Sequence, residues 1–266
     1  PAGIHPTTVI DPTAEIGADV HIGAFTVIMA GAKIGAGSVI GPLCCIGRDV
    51  VLGEGGFLRD HVSIGAYCTI GPRFIAQPGA RIGGDGFSYV TPERSNVEQV
   101  RATLGAENDA KPQSYARIHS LGAVEIGADV EMGANATIDS GTIRATYVGD
   151  GVKMDNMAHV GHNAIIGSDT MLCGAVGVSG STKVGRNVVL GGHVGVGDNL
   201  TIGDYVVCGG GTKVLSSIPA GRVMLGYPAT KMETQIETYK SLRRLPRLLR
   251  DVAALKKAVF NGANSD

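Results

Sequence analysis

The chain has 266 residues, of which 41 are glycine, with no tryptophan and only 5% aromatic residues. A core built on large rings is therefore excluded, and small aliphatic side chains must supply it. The formal net charge of -1 lacks the basic excess with which nucleic-acid-binding proteins neutralise phosphates, so no nucleic-acid partner is expected.

An aliphatic residue recurs at every sixth position from Ile4 to Ile82, with Ala76 as the one exception. The period returns from Val148 to Val214 after a short bridging set, Ile126, Met132 and Ile138. A period of six fits neither a helix nor an alternating strand, and predicts a solenoid of short strands and turns. Glycine often follows the aliphatic residue, where we expect it to permit tight turns with positive φ.

Three such repeats, about 18 residues, would complete one triangular coil, and about ten coils would stack at the ~4.8 Å spacing of strands. The sequence therefore predicts an all-β fold, a left-handed parallel β-helix of hexapeptide repeats. A purely structural solenoid, such as an ice-binding face, would need a flat ladder of identical threonine or polar residues. No such ladder is visible in the sequence.

Two insertions interrupt the repeat. The first spans about residues 84–122, and its middle, rich in Glu, Asn, Ala and Pro, is expected to be flexible. Three aromatic residues within it, Phe87, Tyr89 and Tyr115, could pack back on the coils. A second insertion of four residues separates Ile138 from Val148.

Beyond Val214 the sequence leaves the repeat, and from about Thr230 its pattern predicts a helical extension that Pro246 breaks or restarts. We therefore expect a β-helix domain over 1–229 and a C-terminal α-helical extension over 230–266. Basic residues outnumber acidic ones between Lys231 and Lys257. This excess fits either a solvated helix face or a docking site for an acidic partner.

The segment GVKMDNMAHVGHNAIIG, residues 151–167, concentrates polar groups that a plain coil does not need. His162 follows the inward-facing Val160 by two positions and should lie at an accessible corner. One coil of 18 residues further on stands Gly180, whose bare N–H would lie about one rung, ~4.8 Å, from the imidazole. A histidine base beside a fixed N–H donor suits acyl transfer through a tetrahedral oxyanion.

Two other interpretations stay open at this point. His159, His162 and His193 could be zinc ligands of a hydro-lyase, although His193 is out of register with His162 in a coil of about 18 residues. The DGF and SGS glycines could cradle a phosphate, but such motifs have little specificity in a chain so rich in glycine.

Over nearly its whole length the chain resembles the UDP-3-O-(3-hydroxyacyl)glucosamine N-acyltransferases of lipid A synthesis. The motifs that carry this resemblance are GIHPTTVIDPTAEIG, IGGDGFSY, VEIGADVEMGANATIDSGTI, GVKMDNMAHVGHNAIIG, VGVSGSTKVGRNVVLGGHVGV and IPAGRVMLGYPA. The related UDP-N-acetylglucosamine O-acyltransferase also carries an HVxH motif. The residues around that motif here, MDN before it and SGSTKVGRN after it, favour N-acylation.

The resemblance implies a homotrimer in which His162 is the general base and the Gly180 N–H lies in the oxyanion hole. The donor would be an (R)-3-hydroxyacyl group on the phosphopantetheine of acyl carrier protein, and the acceptor UDP-3-O-acyl-glucosamine, with no cofactor or metal held by the enzyme itself. Because that carrier protein is acidic, the docking interpretation would apply to Arg243, Arg244, Arg247 and Arg250. Residues expected to line the cleft are Asp155, Asn156, His159, Asn163, His193 and Asn199.

Two departures from the family pattern stand out. Family members carry a uridine-binding domain ahead of the GIHP motif, and this sequence starts at that motif, so we expect the upstream domain to be absent from this chain. The Gly-His pair that carries the family's second histidine appears here as Asp198 and Asn199, and His193, six residues before Asn199, is the alternative residue for that role. The five cysteines form no CxxC pair, and no apolar run or secretory leader is evident, so a cytoplasmic protein without a transmembrane segment is expected.

Overall fold

The computed structural model describes residues 3–109, 111–226 and 229–261. The chain divides into two compact units, 1–226 and 227–266. The predicted β-helix domain also includes residues 1, 2, 110, 227 and 228, and the predicted extension includes 262–266, all of which lie outside the described residues.

The first unit is a parallel β-helix with three sheets, here numbered in chain order. Sheet 1 contains Val9–Ile10, Val27–Ile28, Cys45–Ile46, Ser63–Ile64, Arg81–Asp85, Thr137–Ser140, His159–Val160, Gly177–Val178, Gly195–Val196 and Lys213–Val214. Sheet 2 contains Glu15–Ile16, Lys33–Ile34, Val51–Leu52, Thr69–Ile70, Val124–Ile126, Thr146–Val148, Ile165–Ile166, Lys183–Val184 and Thr201–Ile202. Sheet 3 contains His21–Ile22, Val39–Ile40, Phe57–Leu58, Ile75–Ala76, Glu131–Met132, Lys153–Met154, Met171–Leu172, Val189–Leu190, Val207–Cys208 and Val223–Met224.

The second residue of most strands is the aliphatic member of the repeat, and it points inward. Ile28 pairs in register with Ile46, one coil later, and both are almost fully buried. Ala76, the exception in the sequence, is also fully buried, beside Leu58 and Met132. The predicted parallel β-helix of hexapeptide repeats is therefore confirmed, while its left-handed winding stays a prediction.

Apart from Gly83, whose φ is 78°, the glycines that follow the inward residues serve a different purpose from the one expected. Gly47 does not adopt positive φ; a Cβ there would lie 2.7 Å from the backbone nitrogen of Ala66 in the next coil. The positive φ is taken two positions later by Asp49, at 54°. Close approach between coils, rather than backbone freedom, therefore requires glycine at this position.

Both insertions occur in turns that join a strand of sheet 1 to a strand of sheet 2. We call the turns from sheet 1 to sheet 2 the 1–2 corner, and those from sheet 3 to sheet 1 the 3–1 corner. The long insertion joins Arg81–Asp85 to Val124–Ile126, and the short one joins Thr137–Ser140 to Thr146–Val148. Consecutive coils therefore extend the same 1–2 corner.

The long insertion, whose middle was expected to be flexible, contains regular secondary structure in the residues that the structure describes there. Helix α1, Asn96–Thr103, begins with a capping box between Ser95 and Glu98. Tyr89–Val90 and Ala116–Arg117 form a short antiparallel pair. Capping and pairing within the insertion supply the order that its composition did not indicate.

The insertion's three aromatic rings, for which packing on the coils was one possibility, pack on one another. The ring centroids of Phe87 and Tyr89 are 5.0 Å apart, and those of Tyr89 and Tyr115 are 6.4 Å apart. Phe87 is 83% exposed and Tyr115 is 65% exposed. Edge-to-face pairing satisfies these rings at the surface, which leaves Phe87 available to a neighbouring ligand.

The second unit contains one helix, α2, Met232–Asn261, which continues through Pro246. The predicted break is therefore wrong. Proline removes the bond to the carbonyl of Leu242, but Leu242 is 56% exposed, so water can replace that donor. Among the described residues, no helix is both long enough and apolar enough to cross a bilayer.

Candidate active site

A groove of about 860 Å³ runs along the 1–2 corner and the adjoining outer face of sheet 1. Its walls combine groups from the coils with groups from the long insertion. The charged and titratable residues that line it are Arg101, Asp139, His159, His162, Asp198 and Lys213. The groove therefore gathers residues separated by more than a hundred positions in the sequence.

His162 and Gly180 face each other across one rung of this groove. Val160 pairs in register with Val178, and the Ser181 N–H donates to the His162 carbonyl at 2.9 Å. A Cβ added at Gly180 would lie 2.7 Å from both Cε1 and Nε2 of the His162 ring. The imidazole is half-buried and lines the groove, so the predicted alignment is present. The catalytic roles of the two residues stay a prediction.

The Gly180 N–H is available to a ligand. Among the described residues it donates no hydrogen bond, whereas the Gly180 carbonyl accepts one from the Asn199 N–H at 3.2 Å. That bond fixes the orientation of the peptide between Gly180 and Ser181. A bare, oriented N–H beside an imidazole is the arrangement that stabilises a developing oxyanion.

Gly86, from the DGF motif, lies against the Cβ–Cγ end of the same side chain. A Cβ at this position would lie 2.6 Å from the His162 Cβ and 2.9 Å from its Cγ. The Gly86 N–H donates to the Ser120 hydroxyl at 3.0 Å, which ties this turn to the end of the insertion. The glycines of DGF and SGS thus both contact the His162 side chain. Both motifs are visible in the sequence, but their common contact with His162 is not.

The ring nitrogens of His162 are distinguished by Asn163. The Asn163 Oδ1 accepts bonds from the Thr142 N–H at 2.6 Å and from the Thr142 hydroxyl at 3.0 Å, so this atom is the amide oxygen. It lies 3.4 Å from the His162 Nδ1. Since an amide oxygen only accepts, the proton belongs on Nδ1 and the lone pair on Nε2, the nitrogen beside Gly180.

Asp139 is a site residue that sequence reasoning missed. Its Oδ2 lies 3.8 Å from the His159 Nε2, and the His159 Nδ1 is 2.7 Å from the Thr137 hydroxyl. Burial raises the pKa of Asp139, while the nearby charges of His159 and then His162 act in the opposite direction. The signal available in the sequence was its place in TIDSG, directly before the short insertion at the 1–2 corner.

The remaining predicted residues divide between two corners. Asn199 lies at the 1–2 corner, and its side chain donates to the Asp198 carboxylate at 3.1 Å. Asp155, Asn156 and His193 lie at the 3–1 corner, so within one chain they do not meet His162. The Asn156 Oδ1 accepts from the Ala134 N–H at 2.7 Å. The three histidines considered as zinc ligands therefore do not converge within one chain.

The four predicted docking arginines, Arg243, Arg244, Arg247 and Arg250, all lie on α2. Each is exposed. The Arg247 Nε is 3.9 Å from the Asp251 carboxylate one turn later. Because exposed pairs of this kind are weak, Arg247 remains free to exchange Asp251 for another anion.

Comparisons with known proteins identify relatives of the chain. The profile of the bacterial transferase hexapeptide (six repeats) family matches residues 13–48. A Ruegeria pomeroyi protein named UDP-3-O-acylglucosamine N-acyltransferase is 67% identical over 265 residues, which cover 100% of this chain and 73% of that protein. The protein of the same name from Paracoccus denitrificans is 57% identical over 189 residues, 71% of this chain and 52% of that protein. The chain therefore spans about half the length of this second relative.

Solved structures agree on the fold. LpxA from Acinetobacter baumannii superposes with a TM-score of 0.60 at 24% identity, over 89% of this chain and 77% of that chain. LpxA from Bacteroides fragilis, a UDP-N-acetylglucosamine acyltransferase, gives 0.57 at 24% identity, over 81% of this chain and 68% of that chain.

Proposed function

Because the chain belongs to the UDP-3-O-acylglucosamine N-acyltransferase family, we propose that His162 and Gly180 carry its acyl transfer to the sugar 2-amine. The acyl group would be an (R)-3-hydroxyacyl chain delivered as a thioester by acyl carrier protein, and the acceptor UDP-3-O-(3-hydroxyacyl)glucosamine. The observation that supports this most is the His162 imidazole lying directly against a glycine whose N–H is available.

The chemical steps use one base and one donor. The amine nitrogen attacks the thioester carbonyl carbon, and the His162 Nε2 takes the proton that the amine loses. The carbonyl oxygen becomes an oxyanion, which the Gly180 N–H stabilises. When the tetrahedral intermediate collapses, the carbon–sulfur bond breaks and the imidazolium gives its proton to the departing thiolate. The products are the amide and the free thiol of the carrier.

No bound cofactor enters this proposal, because the thioester donor arrives already activated. The Asn163 oxygen beside Nδ1 would hold the imidazole in the tautomer that leaves Nε2 basic. Asp139, near His159 and His162, would favour the imidazolium formed during the reaction.

The proposal is tested with two acceptors. Purified protein is given (R)-3-hydroxyacyl carrier protein together with either UDP-3-O-acyl-glucosamine or UDP-N-acetylglucosamine, and products are identified by mass spectrometry. We expect amide formation with the first acceptor. Ester formation with the second alone would replace N-acylation by O-acylation, and activity with neither would refute both.

The donor arm would lie along the outer face of sheet 1. In the three strands of sheet 1 that follow His159, the outward positions are Gly177, Gly195 and Lys213. The Lys213 Nζ donates to the His193 carbonyl at 3.0 Å. Gly177 leaves a shallow trough beside the reacting groups, and the Lys213 side chain closes its far end, because a Cβ at Gly195 would lie 3.2 Å from the Lys213 Nζ. A thin, flexible arm fits such a trough better than a bulky ring.

Filling this trough should block the reaction without unfolding the protein. A Cβ at Gly177 meets nothing within 4 Å, and valine favours strands, so Gly177→Val is expected to fold normally. We expect kcat/KM to fall about 10²-fold, because the added side chain displaces the donor from its reacting position. The control is Ser63→Val, on the same sheet four rungs upstream of Gly177. Equal activity of both variants would exclude the trough as the donor's path.

Carrier protein would dock through the arginines of α2. Replacing Arg243, Arg247 and Arg250 with glutamate is expected to raise KM for acyl carrier protein roughly tenfold, with kcat nearly unchanged, because these charges act on association. Added salt should raise KM for the unmodified protein in the same direction. An acyl-pantetheine donor without the carrier is the matched control and should not distinguish the variants. An unchanged KM for the carrier would leave α2 as a solvated helix.

We propose further that the chain works as a homotrimer in the cytoplasm. Outward positions of sheet 3 include Phe57, Met171 and Val207, which are 36%, 47% and 39% exposed. Apolar side chains on a flat face fit a contact between copies. All five cysteines lie within the described residues and are free, which suits a reducing compartment.

A further inference from the structure

Asp198 occupies the same turn position, one coil further on, as the two proposed reacting residues, His162 and Gly180. It follows Gly180 by one coil, as Gly180 follows His162, and Gly177 pairs in register with Gly195. Its side chain is 41% exposed and lines the groove. One strand spacing, ~4.8 Å, therefore separates this residue from the peptide that would hold the oxyanion.

The carboxylate at this place is an anion. Partial burial acts to raise the pKa of Asp198, but hydrogen bonds from Arg101, from its own backbone and from Asn199, together with the charge of Arg101, lower it below its ordinary value. A fixed negative charge beside a developing oxyanion opposes the reaction, because the groove has a lower dielectric constant than water.

Arg101 compensates this charge from a distant part of the sequence. It lies in the last turn of α1, and its two terminal nitrogens each lie 3.1 Å from a different oxygen of Asp198. This bidentate geometry is the strongest form of an arginine–carboxylate contact. Because α1 is capped at its start by Ser95 and Glu98, the guanidinium is presented by a short ordered helix.

We propose that Arg101 is a positioning residue of the oxyanion site, where it neutralises Asp198 and so allows negative charge to develop at the Gly180 N–H. The inference rests on the function proposed above. The long insertion then takes part in the reaction, because α1 supplies the Arg101 cation and, among the described residues, the coil that carries Asp198 has none of its own beside it. The acidic residue of the Asp198–Asn199 pair, which stands where the family has a Gly-His pair, would then depend on the presence of Arg101.

The test is a double-mutant cycle on the whole chain with four proteins: unmodified, Arg101→Met, Asp198→Asn and the double variant. Methionine keeps much of the apolar stem of arginine. We expect Arg101→Met to lower kcat for amine acylation about 10- to 100-fold, because the carboxylate is left unpaired beside the oxyanion. Asp198→Asn should stay within about threefold of the unmodified protein, and the double variant should recover to that level.

Two other roles for Arg101 give different patterns, and either would overturn the proposal. If the ion pair only fastens the insertion, Asp198→Asn and the double variant should lose activity as Arg101→Met does. If Arg101 binds a phosphate of either substrate, Arg101→Met should raise KM and the double variant should not recover. Arg94→Met is the control, because it removes a charge from the same insertion outside the groove lining.

Hydrogen exchange of residues 96–103 separates failure of this proposal from failure of the proposed function. Exchange should quicken to the same extent in Arg101→Met and Asp198→Asn, since both lose the ion pair, although only the first loses activity. Unchanged exchange in both variants would show that the pair does not form in solution, which overturns the proposal. Absence of amine acylation by the unmodified protein would instead refute the proposed function, and with it the role assigned to Arg101.

Discussion

Replacing His162 by alanine is expected to lower kcat for amine acylation by about 10²–10⁴-fold, the usual contribution of a general base. The ring is half-buried at a corner and not part of the aliphatic core, so its removal leaves the inward ladder unchanged. Purified variant and parent would be compared in a continuous assay of thiol release, with circular dichroism and sedimentation to check fold and assembly.

The matched control for this variant is His5→Ala, which removes an exposed imidazole at the other end of the coil. We expect its kcat to stay within about twofold of the parent, in the range of ordinary surface substitutions. Turnover of His162→Ala within a factor of three of the parent, with intact assembly, would remove His162 as the base.

Replacing Gly180 by alanine is expected to lower kcat about 10²-fold while moving the melting temperature little. The added methyl group would lie 2.7 Å from the His162 Nε2, so the ring must turn away from its reacting position. Misplacing a catalytic group by about 1 Å costs activity on this scale. The fold is spared because the obstructing atoms belong to a side chain that can rotate, and because Gly180 does not adopt positive φ.

Gly192→Ala is the matched control for Gly180→Ala, since a Cβ at Gly192 meets only the Gly174 carbonyl, at 3.5 Å. We expect near-parental kcat for it. The variant with both His162→Ala and Gly180→Ala should be no slower than His162→Ala alone, because the methyl group acts by displacing a ring that is already absent. Losses that multiply in the double variant would show that Gly180 and His162 act independently.

The repeat made the solenoid predictable to an unusual degree. Each inward residue, such as Ile28 or Ile46, marks one strand, and a period of six with no competing helix or strand period leaves a single architecture. The same arithmetic aligned His162 with Gly180, because both lie in coils without an insertion between them. Wherever the period holds, register follows from counting.

Residues contributed by the insertions could not be found in this way. Gly86 and Arg101 reach His162 and its groove from a segment that does not follow the period, so counting gives no register for them. Asp139 follows the period, but the four-residue insertion between it and His162 shifts the count. Arg101 meets Asp198 only because α1 folds over the corner, a contact across 97 positions. Composition predicted flexibility there, whereas the capping box at Ser95 and the pair of short strands supply local order.

Three residues expected in the cleft, Asp155, Asn156 and His193, lie at a different corner from His162. Asp155 precedes His162 by only seven positions, which suggested a shared cleft, but one strand of sheet 1 separates their turns. Proximity in a β-helix follows the coil length of 18 residues and not the shortest distance along the sequence. Asp155, Asn156 and His193 therefore belong to the 3–1 corner, and any meeting with His162 would need a second copy of the chain.

The most direct test of the central claim is a crystal structure of the protein with its N-acylated product. We expect the new amide nitrogen within about 3.2 Å of the His162 Nε2 and the amide oxygen within about 3.1 Å of the Gly180 nitrogen. An amide bound at the 3–1 corner of the same chain, or on a face of the prism away from both residues, would contradict the assignment of His162 and Gly180 to the reaction.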